Sequence, residues 1–310
     1  MNNVDLLFIN WDMNPSVIPS WNMPRWYGIM WALGFYLGYE VLKRMYRAEK
    51  TPEKWTDQSF IYVLVAGILG ARLGHCLFYQ PDYYLAHPIE ILKIWEGGLA
   101  SHGGAFAIIL AVFILNRKHF HTGMLWILDH LVVPTALAAA LIRLGNLFNH
   151  EIVGRPTDSA FGFKFLRNDV APEQAMQITG KLSSDEAYSA LSNTSKYADL
   201  WAQIPARHPA QLYEAIIYLL VFGLLMFLFW KTNASRLKGF LTGIFFVTVF
   251  GARFLIEFIK EDQVSFEGGM PINMGQILSI PLILFGIYLV IKHSRSLKRG
   301  TPEPMKTSSI

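Results

Sequence analysis

Among the ionisable side chains inside long apolar stretches of this sequence are three whose chemistry suggests a function. Arg143 and Arg253 carry planar guanidinium groups, which stay charged at low dielectric and can bind two oxygens of a phosphodiester at once. His102 carries an imidazole, which can accept a proton from a nucleophile. Because an ionisable residue costs about 2.5 to 3.5 kcal/mol at the centre of a membrane helix, each one is a functional candidate.

Helical spacing adds polar neighbours to both arginines. Arg143, Asn146 and His150 share one helix face if their helix continues that far. Arg253 and Glu257 are four residues apart, which is the spacing of an ion pair within a helix. Helical spacing alone is therefore compatible with a phosphate site and also with an ion pair that only stabilises the fold.

A structural alternative stays open for each residue taken alone. Arg253 could form a salt bridge with Glu257, and Arg143 could extend to lipid headgroups. His102 could be a hydrogen-bonded structural histidine. What favours a common site is that the three residues are predicted to lie at one membrane depth.

The elements that must position these residues are seven apolar stretches. Each approaches the ~20 residues that a helix needs to cross a bilayer. They cover residues 26–41, 60–79, 99–115, 124–148, 210–230, 240–259 and 274–291. With 53% hydrophobic and 16% charged residues among 310, the composition excludes an ordinary water-soluble protein. A net charge of +4 gives no support to nucleic-acid binding. We predict an all-α polytopic membrane protein with seven transmembrane helices.

Lysines and arginines set the predicted orientation. They are concentrated in the connections after the first, third, fifth and seventh stretches, and such residues are retained on the cytoplasmic side. The N-terminus is therefore predicted outside and the C-terminus inside. With this topology the polar residues of the spans converge on the outer half of the membrane: Tyr27, Arg72, His102, Arg143 and Arg253.

The predicted domains follow from the same pattern. Residues 151–208 interrupt the apolar stretches with Pro, Asp, Ser and Asn, and they are too many for a turn, so they should form a small periplasmic head between helices 4 and 5. Ser183 offers a helix cap within this head. The complete division is 1–150 for helices 1–4 with an N-terminal periplasmic arm, 151–208 for the head, 209–293 for helices 5–7 and 294–310 for a cytoplasmic tail.

Several blocks of sequence closely resemble the motifs of phosphatidylglycerol-prolipoprotein diacylglyceryl transferases. The longest is RLGNLFNHEIVGRPT at residues 143–157. The others, in chain order, are RWYG at 25–28, ARLG at 71–74, WEGG at 95–98, SHGG at 101–104, RHPAQLYE at 207–214, GARFLIEF at 251–258 and MGQILS at 274–279. Together they span nearly the whole chain.

The resemblance implies a reaction and a location. The diacylglyceryl group of phosphatidylglycerol would pass to the lipobox cysteine of a prolipoprotein signal peptide, with formation of a thioether and release of glycerol 1-phosphate. The enzyme would be a multi-pass protein of the bacterial inner membrane, with its active site towards the periplasmic leaflet. The resemblance implies no cofactor, and the sequence shows no cluster with metal-ligand spacing.

The predicted site combines this resemblance with membrane depth. We predict His102, Arg143 and Arg253 as catalytic, with His102 as candidate base and with a carboxylate or arginine-assisted deprotonation as alternatives. The predicted substrate-binding residues are Tyr27, Arg72, Arg143, Asn146, Glu151, Gly154, Arg253 and Glu257. One departure from the family is Lys260, where an arginine is usual. Lysine keeps the positive charge but cannot bind two oxygens at once as a guanidinium does. The usual Pro-Asp at 262–263 is also absent, and segment 158–206 is longer than usual.

Two other classes of function compete with a transferase. In a transporter for an anionic solute, the arginines would form a binding site at the membrane midplane. Such a protein is expected to have pseudo-symmetric halves, and the sequence contains no internal repeat. A lipid-anchored scaffold without catalysis would not need two arginines and a histidine at one depth.

Overall fold

The structure is a computed structural model that describes residues 8–94, 97–261 and 272–298 of the chain. Some predicted features lie outside this part: Trp95 and Glu96 of the WEGG block, positions 262–263, the side chain of Ser101 and, in the predicted tail 294–310, everything except the helical backbone to Lys298.

Helices form most of the described chain. In order they are α1 (Trp26–Ala48), α2 (Lys54–Phe78), α3 (Pro81–Ala86), α4 (Ser101–Leu115), α5 (Met124–Phe148), α6 (Leu166–Asp169), α7 (Pro172–Thr179), α8 (Ser184–Asn193), α9 (Ala198–Gln203), α10 (Ala210–Lys231), α11 (Phe240–Phe245), α12 (Gly251–Ile256) and α13 (Met274–Lys298). A π-helical turn, Asn116–Phe120, continues α4, and another, Phe246–Phe250, joins α11 to α12. Short 3-10 turns lie at Pro19–Trp21, Pro88–Leu92, Ser195–Tyr197 and Ala234–Arg236.

Five helices are long and apolar enough to cross a membrane. They are Lys54–Phe78, His102–Phe120, Met124–Phe148, Ala210–Lys231 and Met274–His293. The other two predicted spans are helical but do not meet both criteria. Helix α1 is rich in Trp, Tyr and Gly and ends in charged residues, whereas the apolar helix Phe240–Ile256 is shorter. The chain is thus a helical membrane protein with several spans.

One small sheet departs from the all-α prediction. Strand β1 (Ile9–Trp11) pairs in parallel with β2 (Phe163–Phe165), with Ile9 opposite Phe163. Strands of three residues give no alternating pattern that a sequence could reveal. The sheet fixes the N-terminal segment to the head, and Trp11 Nε1 also donates to the Leu147 carbonyl at 3.0 Å.

Two helix groups form the membrane part: one comprises α1, α5, α10, α11, α12 and α13, and the other comprises α2 and α4. Helix α5 packs between α1 and α10, and α11 and α12 pack on α13. Helix α2 packs along α4 through glycines: a Cβ at Gly74 would lie 2.7 Å from the Cα of Gly103. Close helix packing therefore accounts for the glycine that follows His102.

The head contains four short helices, α6 to α9. Helices α7 and α8 pack against each other around buried Tyr188 and Leu191, and Ser183 is the N-cap residue of α8, although its side chain makes no capping hydrogen bond. Arg207 ties the head to the end of α12, because its guanidinium donates to Asp169 at 2.7 Å and to Glu261 at 3.1 Å.

Candidate active site

Four charged side chains from α5, α10 and the segment just after α12, all buried or half-buried, form one cluster, which we call the ion cluster. Arg143 Nε lies 2.8 Å from Glu214 Oε2. Lys260 Nζ donates to Glu214 Oε1 at 2.9 Å and to Glu257 Oε2 at 3.2 Å. Glu214 and Lys260 are 0% and 2% exposed. Two cations compensate two anions, which is the arrangement that buried charges require.

A chain of amides leads from Arg143 to an exposed carboxylate. Arg143 Nη1 donates to Asn146 Oδ1 at 3.3 Å, which confirms the predicted neighbours on one helix face. Asn146 Nδ2 donates to Glu151 Oε2 at 3.2 Å, and Asn149 Nδ2 donates to Glu151 Oε1 at 3.0 Å. Glu151 is therefore oriented by two amides and remains open to solvent or to a ligand.

The ion pair between Arg253 and Glu257, the structural alternative for Arg253, is not formed in the structure. Glu257 is bound to Lys260, and among the described residues Arg253 has no ion pair and no hydrogen bond from its side chain. The reason is that Lys260 lies between two carboxylates and binds both. The half-buried Arg253 guanidinium interacts electrostatically with the Tyr218 hydroxyl, as Arg143 does, so the two arginines face one small region.

Two predicted residues shape the site through close packing. A Cβ at Gly145 would lie 2.9 Å from Cδ2 of Tyr27, so the Tyr27 ring lies against the helix that carries Arg143. The Gly154 N–H donates to the His208 carbonyl at 2.8 Å, and Gly154 forms a β-bridge with Lys260. The structure thus supports a backbone role for Gly154 at the segment that carries Lys260.

Arg72 lies on the other helix group, with its guanidinium already occupied. Its Nε donates to the Ile91 carbonyl at 2.9 Å, Nη1 to Gly97 at 2.6 Å and Nη2 to Glu90 at 2.5 Å. The side chain is 3% exposed and lies over the Tyr84 ring. In this structure Arg72 organises the connection that leads to α4.

His102 lies at the start of α4 with an exposed side chain. Its ring contacts Phe78 and Tyr79 at the end of α2, at 5.7 and 5.9 Å between centroids. Among the described residues, no hydrogen bond or ion pair joins it to the arginines. The structure therefore brings Arg143, Asn146, Glu151, Glu257 and Arg253 together but leaves His102 beside α2.

His150 does not share the Arg143 face, because α5 ends at Phe148. Its backbone is left-handed, with φ 57°, and its Nε2 donates to the Met13 carbonyl at 2.8 Å. Burial lowers the pKa of His150 to about 4, and Nδ1 has no partner among the described residues. A neutral His150 therefore holds the N-terminal segment next to the site.

Three residues of the site were missed by the sequence interpretation. Glu214 and Tyr218 lie one helical turn apart on α10, and the Tyr218 hydroxyl donates to Glu214 Oε1 at 3.4 Å. Glu214 could have been found, because it is an ionisable residue inside the apolar stretch 210–230. Lys260 was noticed only as a departure from the family, since its distant partner Glu214 cannot be read from spacing.

An apolar groove runs along the helix that carries Arg253. It lies between α10 and the α11–α12 segment and has a volume of about 400 Å³. Its lining includes Ile217 and Leu220 from α10 and Ala252 and Leu255 from α12. Ala252, which lines the groove, is the residue before Arg253.

The chemistry available at the site is that of anion binding next to apolar surface. The ion cluster is neutral, so Arg253 adds one positive charge that the described residues do not pair. Among those residues, no three His, Cys, Asp or Glu side chains are placed to hold a metal ion. The arrangement suits a singly charged phosphodiester that carries hydrocarbon chains.

Comparison with known proteins agrees with this chemistry. The sequence model of the family described as prolipoprotein diacylglyceryl transferase matches residues 18–292. Similar proteins named phosphatidylglycerol-prolipoprotein diacylglyceryl transferase include that of Chloroherpeton thalassium, 41% identical over 92% of this chain and 94% of its own. Those of Tolumonas auensis, 41% identical over 93% and 99%, and Porphyromonas gingivalis, 43% identical over 92% and 94%, carry the same name. These matches give no support to the transporter hypothesis. The chain belongs to the prolipoprotein diacylglyceryl transferase family.

Proposed function

We propose that this protein transfers the diacylglyceryl group of phosphatidylglycerol to the cysteine thiol of a prolipoprotein. In the reaction a sulfur–carbon bond forms at the glyceryl carbon, and the bond from that carbon to the phosphate oxygen breaks. The thiol loses its proton, and glycerol 1-phosphate leaves. The observation that carries the proposal is the Arg253 guanidinium, which has no ion pair among the described residues and belongs to a helix that borders both a neutral ion cluster and an apolar groove.

Charge balance supports a phosphodiester as the ligand. Phosphatidylglycerol carries one negative charge at its phosphate, which the Arg253 cation, unpaired among the described residues, can compensate. As the bond breaks, negative charge grows on the departing phosphate, and Arg143 and Arg253 would stabilise it from fixed positions. The acyl chains would lie in the groove between α10 and α12.

The polar residues near the arginines would bind the remainder of the headgroup. Asn146 and Glu151 offer amide and carboxylate groups to the glycerol hydroxyls. Two groups could accept the thiol proton. His102 is the candidate from the sequence, and Glu151 is favoured by its link through Asn146 to Arg143. Separate His102→Gln and Glu151→Gln variants would show which one removes the ionisation that controls kcat/KM.

We also propose the finer topology of the protein in the bacterial inner membrane. It comprises seven spans, an external N-terminus, an internal C-terminus and a site that faces the periplasmic leaflet, divided as 1–150, 151–208, 209–293 and 294–310. The charge pattern of the connections supports this orientation. A Thr194→Cys variant should react with a membrane-impermeant thiol reagent in intact spheroplasts. Labelling only after permeabilisation would contradict the proposed side of the head.

The experiment that tests the function uses purified protein with labelled phosphatidylglycerol and a lipobox peptide. We expect a thioether-linked diacylglyceryl peptide and an equal amount of glycerol 1-phosphate. A peptide with Ser in place of the lipobox Cys is the matched control and should give neither product. Binding of the lipid without turnover would contradict the proposal and favour a scaffold.

A further inference from the structure

We propose that Lys260 is a positioning residue that holds Glu257 away from Arg253 and so keeps the Arg253 guanidinium available to an anionic lipid headgroup. This inference rests on the proposed function, because it concerns the phosphodiester site of that reaction.

The competing pair is built into the helix. The Glu257 N–H donates to the Arg253 carbonyl at 3.0 Å, so the two residues are one helical turn apart. An acid and a base at this spacing attract each other on a helix surface. In this structure the Glu257 carboxylate is held elsewhere: Oε2 accepts from Lys260, and Oε1 lies so close to Gly275 that a Cβ there would be 2.6 Å away.

The backbone fixes the position of Lys260. Lys260 forms a β-bridge with Gly154, and its carbonyl accepts from Arg155 Nε at 3.0 Å. The next N–H, that of Glu261, donates to the Val153 carbonyl at 3.3 Å. The ammonium group is therefore held between the two carboxylates by the backbone contacts of its own segment, which follows α12 directly.

Glu214 has other partners and does not depend on Lys260 alone. Arg143 Nε lies 2.8 Å from its Oε2, and the Tyr218 hydroxyl donates to its Oε1. Loss of the lysine charge would therefore leave Glu257 as the uncompensated carboxylate. Its nearest remaining cation along the helix is Arg253, so a phosphate would then have to compete with a carboxylate for that guanidinium.

The test replaces Lys260 by Met, which keeps the length and removes the charge. For Lys260→Met we expect the Kd and the KM for phosphatidylglycerol to rise by about tenfold or more, the ratio that 1.4 kcal/mol produces. Both constants are measured on protein in nanodiscs, with the concentration of folded protein determined for each variant. Lys260→Arg should stay within about threefold of the unaltered protein, because a guanidinium can also bridge two carboxylates. Lys164→Met, which removes a head lysine bound to the Trp201 carbonyl, is the control and should leave both constants unchanged.

A double variant separates positioning from simple stabilisation. In Lys260→Met with Glu257→Gln, no carboxylate is released, so the Kd should return to within about threefold of the value for Glu257→Gln alone. A purely structural role would change the yield of folded protein and leave the Kd of folded molecules unaltered in Lys260→Met. Either that result, or a raised Kd that the double variant does not restore, would overturn the inference. If the unaltered protein formed no thioether, the proposed function would fail, while the series of Kd values would still test Lys260.

Discussion

Acidification should destabilise this protein through one residue, His150, which lies just beyond α5. Its imidazole is 3% exposed, donates from Nε2 to the Met13 carbonyl and has no partner for Nδ1 among the described residues. Burial lowers its pKa from 6.5 to about 4. A proton on Nδ1 would therefore place an unpaired charge in a buried position.

The direction and size of the effect follow from these two pKa values. Between pH 6.5 and about 4, the unfolded chain binds a proton at His150 that the folded protein does not bind. The free energy of unfolding therefore falls as the pH falls through this range, and the loss is complete below about pH 4. The difference between the two pKa values corresponds to about 3 kcal/mol.

The assay compares thermal unfolding of the detergent-solubilised protein with that of His150→Gln at several pH values from 7.5 to 4. Glutamine keeps a donor for the Met13 carbonyl and does not titrate. We expect the difference in stability between the two proteins to shift in favour of the variant as the pH falls. His119→Gln, at an exposed histidine, is the matched control and should show no such shift. Parallel pH profiles for the unaltered protein and His150→Gln would refute the reasoning.

Three further substitutions test particular contacts. In Arg72→Lys, one ammonium cannot replace three donors on separate carbonyls, so we expect a loss of about 1 to 3 kcal/mol in thermal stability for each carbonyl left unpaired. In Gly154→Ala, the Cβ would lie 2.6 Å from the His208 carbonyl oxygen, so the amount of folded protein in the membrane should fall strongly; normal abundance would contradict this packing. In Gly275→Ala, the Cβ would displace the flexible Glu257 carboxylate, so the KM for phosphatidylglycerol should rise with little change in abundance.

The sequence predicted the helices well where apolar length decides the structure. The predicted stretch 124–148 has the same first and last residues as α5, because Gly123 precedes it and polar residues follow it. Stretch 26–41 was too short: α1 continues to Ala48, since a helix need not end where its charged residues leave the membrane. Strands β1 and β2 depend on a pairing between distant segments and left no local signal.

Sequence reasoning found some residues of the ion cluster and its surroundings but not how they pair. The free-energy cost of a charged side chain inside a membrane span singled out Arg143 and Arg253. Helical spacing correctly joined Arg143 to Asn146. The same rule paired Arg253 with Glu257 wrongly, because Lys260 connects that glutamate to Glu214, 46 residues away from Lys260. Local spacing cannot show which of two cations a buried carboxylate will bind when one of them is placed by a distant segment.

The central claim is that Arg143 and Arg253 bind the phosphate of the lipid, and their lysine variants test it most directly. Lysine keeps the charge but loses bidentate contact with a group whose charge grows as it leaves. We expect Arg143→Lys and Arg253→Lys each to lower thioether formation per folded molecule by about 10² to 10³, the loss typical of one missing oxyanion donor. Membrane abundance of Arg253→Lys should stay near normal, because the described structure gives Arg253 no ion pair to lose. Near-normal turnover in both lysine variants would contradict the claim.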